Sequence, residues 1–562
     1  MSAPVETGGN RSGRPQRPAG PQPTPQSSPS LARTSGVMAL GTIASRGTGV
    51  LRTIVIAAAV GSAGQLADAY NIPNAAPNAV YDLLLGGILS SVVVPLLVKA
   101  VKDDAAAGEA YAQRLLTVVA VLLGACTVLA VVAAPLVIDV YGGFTGAQRT
   151  LAITFARYFL PQIFFYGMSA IIGAILNTRG RFAAPMWTPV LNNIVLIVTG
   201  SLFIAVAHRH ATSLTSGQTM LLGIGTTAGV VIQTLALWPS LRASGFRFRP
   251  RFDWRGTGLG GIAKLGGWVL VYVAMNQIGF AVVTQLGSAA GSAAAKHGVH
   301  HGDTFSAYSY AYQLFQLPYA IVAVSVITAL LPRMSSHAVE GRTASLRADL
   351  STGVRTTGVA VVPAAIALIA LAPQMAAAVF RHHNVTTADA RYIAWVIVAF
   401  AIGLVPFCVF QVLLRGFYAL RDTKTPALIN IVATLVNIAA DLILYAVLPV
   451  GGRVFGLALG FSASYWLAAL LTARALSRRL HGLDGRRVLR TYVRLGVASV
   501  VGGAFAFGLA RLCTSLLGNG FAGAVVALVA GAGIGGALLI TLAGRMRISE
   551  ATDLVSAVRS RL

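Results

Sequence analysis

Long apolar stretches dominate the chain, and short polar segments separate them. The first begins at residue 31 as LARTSGVMALGTIASRGTGVLRTIVIAAAVG, and similar stretches follow about every 30 to 40 residues. About 20 consecutive apolar residues suffice for a helix that crosses the hydrocarbon core of a bilayer. The pattern therefore predicts fourteen transmembrane helices, at approximately 34–60, 75–98, 115–140, 151–176, 187–207, 219–241, 261–287, 305–331, 356–380, 392–414, 426–449, 455–473, 493–512 and 520–543.

The composition agrees with this pattern. Of the 562 residues, 56% are hydrophobic and only 11% are charged, and the mean hydropathy is +0.72. Soluble domains carry about 25% charged residues, so a soluble globular core is excluded. The fold class that we expect is an all-α polytopic membrane protein.

The net charge of +26 raises the question of nucleic-acid binding, which the positions of the basic residues answer. With fourteen spans, 32 of the 43 Lys and Arg fall on the side of the N-terminus and seven on the other side. Cytoplasmic loops carry such an excess, so both termini are expected in the cytoplasm. The segments richest in basic residues, 242–255 and 474–494, suit anionic lipid head groups. Nucleic-acid binding is disfavoured, because the sequence has no basic domain with interleaved aromatic residues.

The two ends of the chain and the cysteines suggest no chemistry. Residues 1–30 are rich in Pro, Gly and Ser and predict a disordered cytoplasmic tail, and 546–562 form a second cytoplasmic tail. The three cysteines lie in or near predicted spans and are expected to pack there, because an odd number without metal-ligand spacing defines no disulfide framework and no metal site. They are Cys126, Cys408 and Cys513.

Arg46 and Arg52 lie within the first apolar stretch. Ionised side chains inside a span are costly and by default mark a substrate or ion pathway. In an α-helix the two would be about 9 Å apart along the axis and about 120° apart around it, so both can line one broad cavity. The planar guanidinium suits phosphate, which points to an anionic lipid or sugar phosphate. The alternative is that one or both reach to a membrane surface.

Two proline landmarks recur along the chain. Pro95 and Pro332 close similar apolar runs 237 residues apart, and Pro185 and Pro426 follow similar loops 241 residues apart. This predicts two parallel six-helix lobes, at 31–255 and 256–490, with a substrate site between them. Residues 491–545 supply two further helices that are rich in Gly and Ala, which permits close approach between helices.

Several short motifs follow one another with characteristic spacing. They include Ser45, Arg46 and Arg52, then Asp68, Ala69, Pro77, Asn78, Ser90 and Pro95, then Asn177, Arg181, Phe182, Pro185, Pro189 and Asn193, then Gln316, Leu317 and Pro318, and finally Phe417, Tyr418, Ala419, Asp422, Thr423, Thr425 and Pro426. In this order they resemble the MurJ/MviN lipid II flippases of the multidrug/oligosaccharidyl-lipid/polysaccharide exporter superfamily. The resemblance covers about residues 31–545 and implies a transporter, not an enzyme. It also implies that the two helices of residues 491–545 form a groove for the lipid tail.

The resemblance implies roles for the matching residues. Arg46 and Arg52 would hold the pyrophosphate of an undecaprenyl-linked sugar-peptide. Asp68 would pair with an arginine in one state and release it in another. The alternative is that it lies in a solvated loop or caps a helix. Gram-negative members of the family place further arginines at the positions of Tyr81 and Gln313. The substrate cavity expected here is therefore less cationic, and Tyr81 would offer an aromatic face to sugars.

Asn437 and Asp441 lie four residues apart, on one face of the predicted eleventh span. The pair resembles the sodium site of some family members, although Asn276 and Gln277 replace the usual acid of the seventh span. The sequence leaves two alternatives open, a coupling Na⁺ and a protonated Asp441 bonded to Asn437. Asp441 is therefore a candidate for Na⁺ or H⁺ coupling, and no other cofactor is expected.

Four polar residues lie in tight loops that precede Pro185 and Pro426. We expect them to form structural junctions, with a cytoplasmic gate as the alternative. They are Asn177, Arg181, Asp422 and Lys424.

The function that we expect is the translocation of lipid II, a peptidoglycan precursor, from the cytoplasmic to the outer leaflet of the bacterial plasma membrane by alternating access. The expected partners are this lipid-linked anionic glycan and membrane lipids, with cell-wall synthesis proteins as further candidates. Two alternatives remain, an exporter of another lipid-linked glycan or drug-like molecule and a non-transporting envelope-assembly scaffold. A membrane glycosyltransferase is disfavoured because the outer loops are short and nearly free of acidic residues.

Overall fold

The chain folds into helices throughout the part that its computed structural model describes, namely residues 29–62, 65–81, 105–207, 214–252, 259–299, 302–518 and 520–546. These ranges contain eighteen α-helices and a π-helical turn, Tyr319–Ala323. The α-helices are α1 Pro29–Val60, α2 Gln65–Tyr81, α3 Ala105–Val132, α4 Ala134–Tyr141, α5 Gly146–Phe159, α6 Gln162–Thr178, α7 Ala183–Val206, α8 Ser216–Leu235, α9 Leu237–Ala243, α10 Leu259–Lys296, α11 Phe305–Pro318, α12 Val324–Val339, α13 Thr343–Phe380, α14 Thr387–Ala419, α15 Lys424–Val447, α16 Arg453–Arg479, α17 Gly485–Leu517 and α18 Phe521–Arg545.

Thirteen helical stretches within the described residues are long and apolar enough to cross a membrane. Each corresponds to one predicted span, so the prediction of an all-α polytopic fold is confirmed. The second predicted span, 75–98, continues beyond α2 and lies mostly outside the described residues, as do Ser90 and Pro95. The predicted N-terminal tail lies outside them as well, up to residue 28.

Small residues allow several helices to approach each other closely. A Cβ atom on Gly200 of α7 would come within 2.8 Å of Val55 in α1, and one on Gly403 of α14 within 2.5 Å of the Ser462 hydroxyl in α16. Because such contacts leave no room for a larger side chain, they fix the distance between the helices. α14 packs between α13 and α16 and forms the centre of the largest helix group.

We call α1–α9 the N-terminal half and α10–α18 the C-terminal half. The halves meet where α2 contacts α10 and α11, where α4 contacts α10, and where α1 contacts α13. Successive spans run in opposite directions, so the bundle has two ends. The "Asp68 end" contains the α1–α2, α10–α11 and α13–α14 connections, and the "Asp422 end" contains the α6–α7, α12–α13 and α14–α15 connections.

Candidate substrate site

A buried carboxylate joins the two halves at the Asp68 end. Asp68 Oδ1 accepts hydrogen bonds from the Ser306 backbone N–H at 2.8 Å and from the Ser306 hydroxyl at 2.6 Å. Ser306 is the second residue of α11, where unpaired N–H groups and the helix dipole favour a negative charge. In this conformation Asp68 therefore caps a helix of the opposite half, and its partner is not an arginine.

The C-terminal end of α1 is also held by the opposite half. Its last carbonyl groups have no partners within the helix, and three side chains of the C-terminal half donate to this segment. The donor and acceptor pairs are Thr304 to Ser62 at 2.7 Å, Tyr310 to Gly61 at 3.1 Å, and Asn384 to Ala59 at 2.9 Å. Together with Asp68, these bonds close the space between the halves at the Asp68 end.

A further contact between α1 and α11 lies nearer the Asp422 end. Thr53 donates a hydrogen bond of 2.5 Å to Gln313. Arg46 lies seven residues before Thr53 and therefore on the same face of α1, yet its side chain is exposed. Ile321, eight residues after Gln313, is 62% exposed. Arg46 is thus an exposed cation on the face of α1 that meets α11 at Thr53.

Asn193 of α7 fixes the arginine-bearing segment of α1. Its buried amide donates to the Ser45 carbonyl at 3.1 Å and to the Thr48 hydroxyl at 3.0 Å. These two residues flank Arg46 along the helix. The rotation of α1, and hence the direction in which Arg46 points, is therefore set by α7.

Arg52 and Tyr81 belong to the wall formed by the N-terminal half. The half-buried Arg52 lies within electrostatic range of the Tyr70 and Tyr166 phenols. Tyr166 in turn contacts Tyr81, with 6.4 Å between the ring centroids. The structure therefore groups Arg52 with Tyr81, places Gln313 on the facing wall, and leaves Asp68 in the closed contact.

A cavity of about 640 Å³ lies between α2 and the C-terminal half. The described residues of its lining are uncharged, and Arg46, Arg52, Tyr81 and Gln313 are not among them. The phenols of Tyr308, Tyr312 and Tyr465 contribute aromatic faces. Six amides can donate or accept hydrogen bonds, namely Asn78, Asn276, Gln277, Gln316, Asn430 and Asn437. This lining suits neutral hydroxyl and amide groups, such as those of sugars and peptides.

The two residues predicted to bind a coupling ion, Asn437 and Asp441, lie at the edge of this cavity. The Asn437 amide donates to Asp441 Oδ2 at 2.7 Å, and Asp441 is completely buried. Its other oxygen, Oδ1, has no hydrogen-bond partner among the described residues. A Cβ on Gly460 would come within 2.1 Å of this oxygen. The free oxygen fits either a proton or a cation, and glycine at 460 leaves the room that the carboxylate needs.

Comparison with known proteins decides the family. The family model described as lipid II flippase MurJ matches residues 56–526. The chain belongs to the MurJ family. The matched range includes Asp68, Gln313 and Asp441 but begins after Arg46 and Arg52, so the two arginines rest on the sequence motif and on their position in the fold.

Curated MurJ proteins match over most of their length. A probable lipid II flippase MurJ of Haemophilus influenzae is 29% identical over 485 residues, which cover 82% of this chain and 89% of the relative. A lipid II flippase MurJ of Burkholderia cenocepacia is 28% identical over 478 residues, which cover 82% of this chain and 87% of the relative. This MurJ family chain is thus a multi-pass membrane protein.

Solved structures support the fold alone. A lipid II flippase MurJ in an inward closed conformation superposes with a TM-score of 0.71 at 20% identity, covering 92% of this chain and 99% of that one. An inward-facing multidrug resistance transporter of the MATE family superposes with a TM-score of 0.56 at 15% identity, covering 78% of this chain and 95% of that one.

The predicted junction residues make contacts within one half. In the N-terminal half, Arg181 donates to the Ala243 carbonyl at 2.8 Å, and the Asn177 side chain is exposed. These contacts hold the α6–α7 loop against the end of α9. The gate that we considered as an alternative stays a prediction.

Asp422 lies two residues before α15 in the C-terminal half. It accepts hydrogen bonds from Thr425 at 3.0 and 2.6 Å, and Arg479 pairs with it at 2.6 Å. Lys424 lies 5.7 Å from the Trp268 ring centroid. Burial alone would raise the pKa of Asp422, but the bonds from Thr425 and the charge of Arg479 outweigh it and lower the pKa.

Arg415 is a further candidate site residue, which the sequence did not predict. The predicted span ended at residue 414, but α14 continues to Ala419, so Arg415 lies inside the helix. Its Nε is buried without a hydrogen-bond partner among the described residues, and its guanidinium lies 5.6 Å from the Tyr418 ring centroid. The apolar residues that continue after Arg415 in the sequence were the signal for this position.

Proposed function

We propose that this MurJ family chain carries lipid II from the cytoplasmic leaflet to the outer leaflet by alternating access between its two halves. The observation that supports this most strongly is the contrast along α1. Its C-terminal end is tied to the opposite half, whereas Arg46 on the same helix is exposed. A transporter that is closed at one end and accessible at the other has this arrangement.

Charge supports an orientation with the Asp422 end in the cytoplasm. The basic segments 242–251 and 474–494 both lie at this end. Such an excess of Lys and Arg is typical of cytoplasmic loops. The conformation described here is then closed toward the outside, and both termini are cytoplasmic.

The head group would bind in two parts. Arg46 and Arg52 would hold the pyrophosphate, because two guanidinium groups suit a dianionic group in a medium of low dielectric constant. The uncharged cavity beside them would hold sugar and peptide groups through its amides and phenols. The lipid tail would stay in the bilayer against α17 and α18. Tyr81 would stack on a sugar face, in the place of the arginine of Gram-negative relatives.

Outward opening requires the contacts of the Asp68 end to break. Asp68 would then leave the N-terminus of α11 and become free to pair with an arginine. A ligand shifts such an equilibrium only if it binds the two conformations with different affinity. We propose that a proton or Na⁺ on Asp441 supplies part of this difference, because a buried carboxylate with an unpaired oxygen gains most from a positive partner.

Replacement of a host's only lipid II flippase tests this function. We expect the parent chain to sustain growth when the host flippase is depleted, and Tyr81→Arg with Gln313→Arg to leave growth intact. Growth failure of a well-expressed parent, with rescue by the double-arginine variant, would show that the substrate is a different, less anionic lipid-linked glycan. Failure of both variants would contradict lipid II transport altogether.

A further inference from the structure

The cavity between α2 and the C-terminal half has no basic residue among the described residues of its lining. Arg52 and Arg415 are not part of that lining. Asp441, which is hydrogen-bonded to the lining residue Asn437, adds an acid at the edge. A carboxylate that enters the cavity therefore finds no cation on these walls.

Two amides of α15 use their donors within the protein. Asn430 and Asn437 both line the cavity and lie seven residues apart, on one face of the helix. The Asn430 amide donates to the Tyr272 carbonyl at 3.1 Å, and the Asn437 amide donates to Asp441 at 2.7 Å. A backbone carbonyl and an ionised carboxylate only accept, so the two bonds fix which end of each amide is the oxygen. Each Oδ1 is left without a donor among the described residues, and a ligand in the cavity can supply one.

Such a lining discriminates between two forms of one acid. A carboxamide carries no charge and offers two N–H donors besides its carbonyl oxygen. A carboxylate only accepts, so it leaves the two α15 oxygens unpaired. It also brings a charge without a counter-ion into a space that is partly walled by Phe305, Phe410 and Phe461, and this is costly. The walls therefore favour the carboxamide.

The part of the head group that meets α15 follows from the proposed function, on which this inference rests. Arg46 and Arg52 of the N-terminal half are proposed to hold the pyrophosphate. In a lipid-linked sugar-peptide the pyrophosphate is bonded to a sugar, and the peptide is attached to that sugar. The peptide can therefore extend farthest from the arginines, toward the C-terminal half that contains Asn430 and Asn437.

We propose that this cavity selects lipid-linked sugar-peptides in which the acidic residue of the peptide carries a carboxamide in place of a free carboxyl group. The oxygens of Asn430 and Asn437 accept N–H groups of the peptide, and the uncharged walls disfavour the ionised form. The cavity thus determines specificity at a position of the substrate that the two arginines do not contact.

Transport by the purified full-length protein in vesicles tests the proposal. Two labelled forms of lipid II are compared, which differ only in the acidic residue of the peptide, with a free carboxyl group in one and a carboxamide in the other. We expect kcat/KM to be roughly a hundredfold higher for the carboxamide form. About tenfold comes from the unpaired oxygens and about tenfold from the unpaired charge.

A variant with a cation in the wall should relax the preference. Gln277→Arg places a guanidinium in the lining, so transport of the free-carboxyl form should rise about tenfold. Gln277→Met has a similar length and no charge, and Thr150→Arg adds the same charge at an exposed position of α5 outside the lining. Both controls should keep the preference of the parent. Asn430→Leu removes one accepting oxygen and should slow the carboxamide form alone.

The outcomes separate this proposal from the proposed function. Equal transport of the two forms by the parent would overturn the selection and leave lipid II transport intact, whereas transport of neither form by a folded parent would contradict both. The selection is also overturned if a folded Gln277→Arg variant keeps the full preference, or if Gln277→Met or Thr150→Arg relaxes it equally. If Gln277→Arg does not fold, Asn430→Leu decides, and equal slowing of both forms would overturn the role of the α15 oxygens.

Discussion

Asp68→Ala should shift the protein toward the conformation that is open at the Asp68 end. The carboxylate accepts two hydrogen bonds from Ser306, and both cross from one half to the other. Alanine removes the acceptor, so the Ser306 N–H and hydroxyl stay buried and unpaired while that end is closed. In the open conformation water can hydrate them, so the loss of these two buried bonds destabilises the closed conformation.

The size of the shift follows from the bonds that are lost. A hydrogen bond to a charged group contributes about 1.5–3 kcal/mol, and the two bonds share one carboxylate oxygen. A net change of about 3 kcal/mol raises the ratio of open to closed protein by roughly a hundredfold. Asp68→Asn keeps an acceptor oxygen and should shift the ratio much less.

Cysteine labelling measures this ratio. Ser309 of α11 lines the cavity between α2 and the C-terminal half, about one helical turn after Ser306. In a background without Cys126, Cys408 and Cys513, Ser309→Cys reports on access to this cavity from the Asp68 end. A membrane-impermeant maleimide added from the outside should label it much faster when Asp68→Ala is also present.

A matched control separates closure from a general loss of surface charge. Asp139 lies at the same end but pairs with Arg149 of its own half, so Asp139→Ala should leave the labelling rate unchanged. Labelling of a folded Asp68→Ala variant at the parent rate would show that Asp68 does not hold this end closed. Equal acceleration by Asp139→Ala would show the same.

Three further predictions concern the C-terminal half. Gly460→Ala places a methyl group against Asp441 Oδ1 and should lower the free energy of unfolding by about 1–3 kcal/mol. Both the melting temperature in detergent and the transport rate should fall. Gly508→Ala, which has open space around it, should change neither. Asp441→Asn should abolish any sodium or pH dependence of transport in vesicles while head-group binding persists; sodium- and pH-independent transport by the parent would reject the coupling site. Because the folded-state pKa of Asp422 is lowered, its stabilising effect is present above about pH 4 and is lost as pH falls further, so melting temperatures below pH 4 should fall less in Asp422→Asn than in the parent.

The spans were predictable because a bilayer-crossing helix must be apolar along about 20 residues, whatever it packs against. Their ends were less predictable, since helices continue through charged residues near the membrane surface. Arg415 shows the consequence, because a boundary error of a few residues placed it outside α14. A single sequence is enough to propose roles for Arg46 and Arg52, because it shows two charges within an apolar span, where charge is costly.

The contacts of the site could not be predicted, because they depend on which helix faces meet. The sequence left Asp68 with two alternatives, and only the position of Ser306 shows that it caps α11 in this conformation. The cavity of amides and phenols likewise combines residues from six helices that are up to 393 positions apart, from Ala75 to Ala468. No local pattern indicates which of several polar residues on a helix will face such a cavity.

Transport of labelled lipid II by purified protein in vesicles tests the central claim most directly. The parent should move lipid II between leaflets, Arg46→Ala and Arg52→Ala should each abolish this movement, and lysine at either position should restore it only in part because the bidentate contact is lost. Arg149→Ala, which removes an arginine outside the site, should transport like the parent. Normal transport by a folded Arg46→Ala or Arg52→Ala variant would contradict the account.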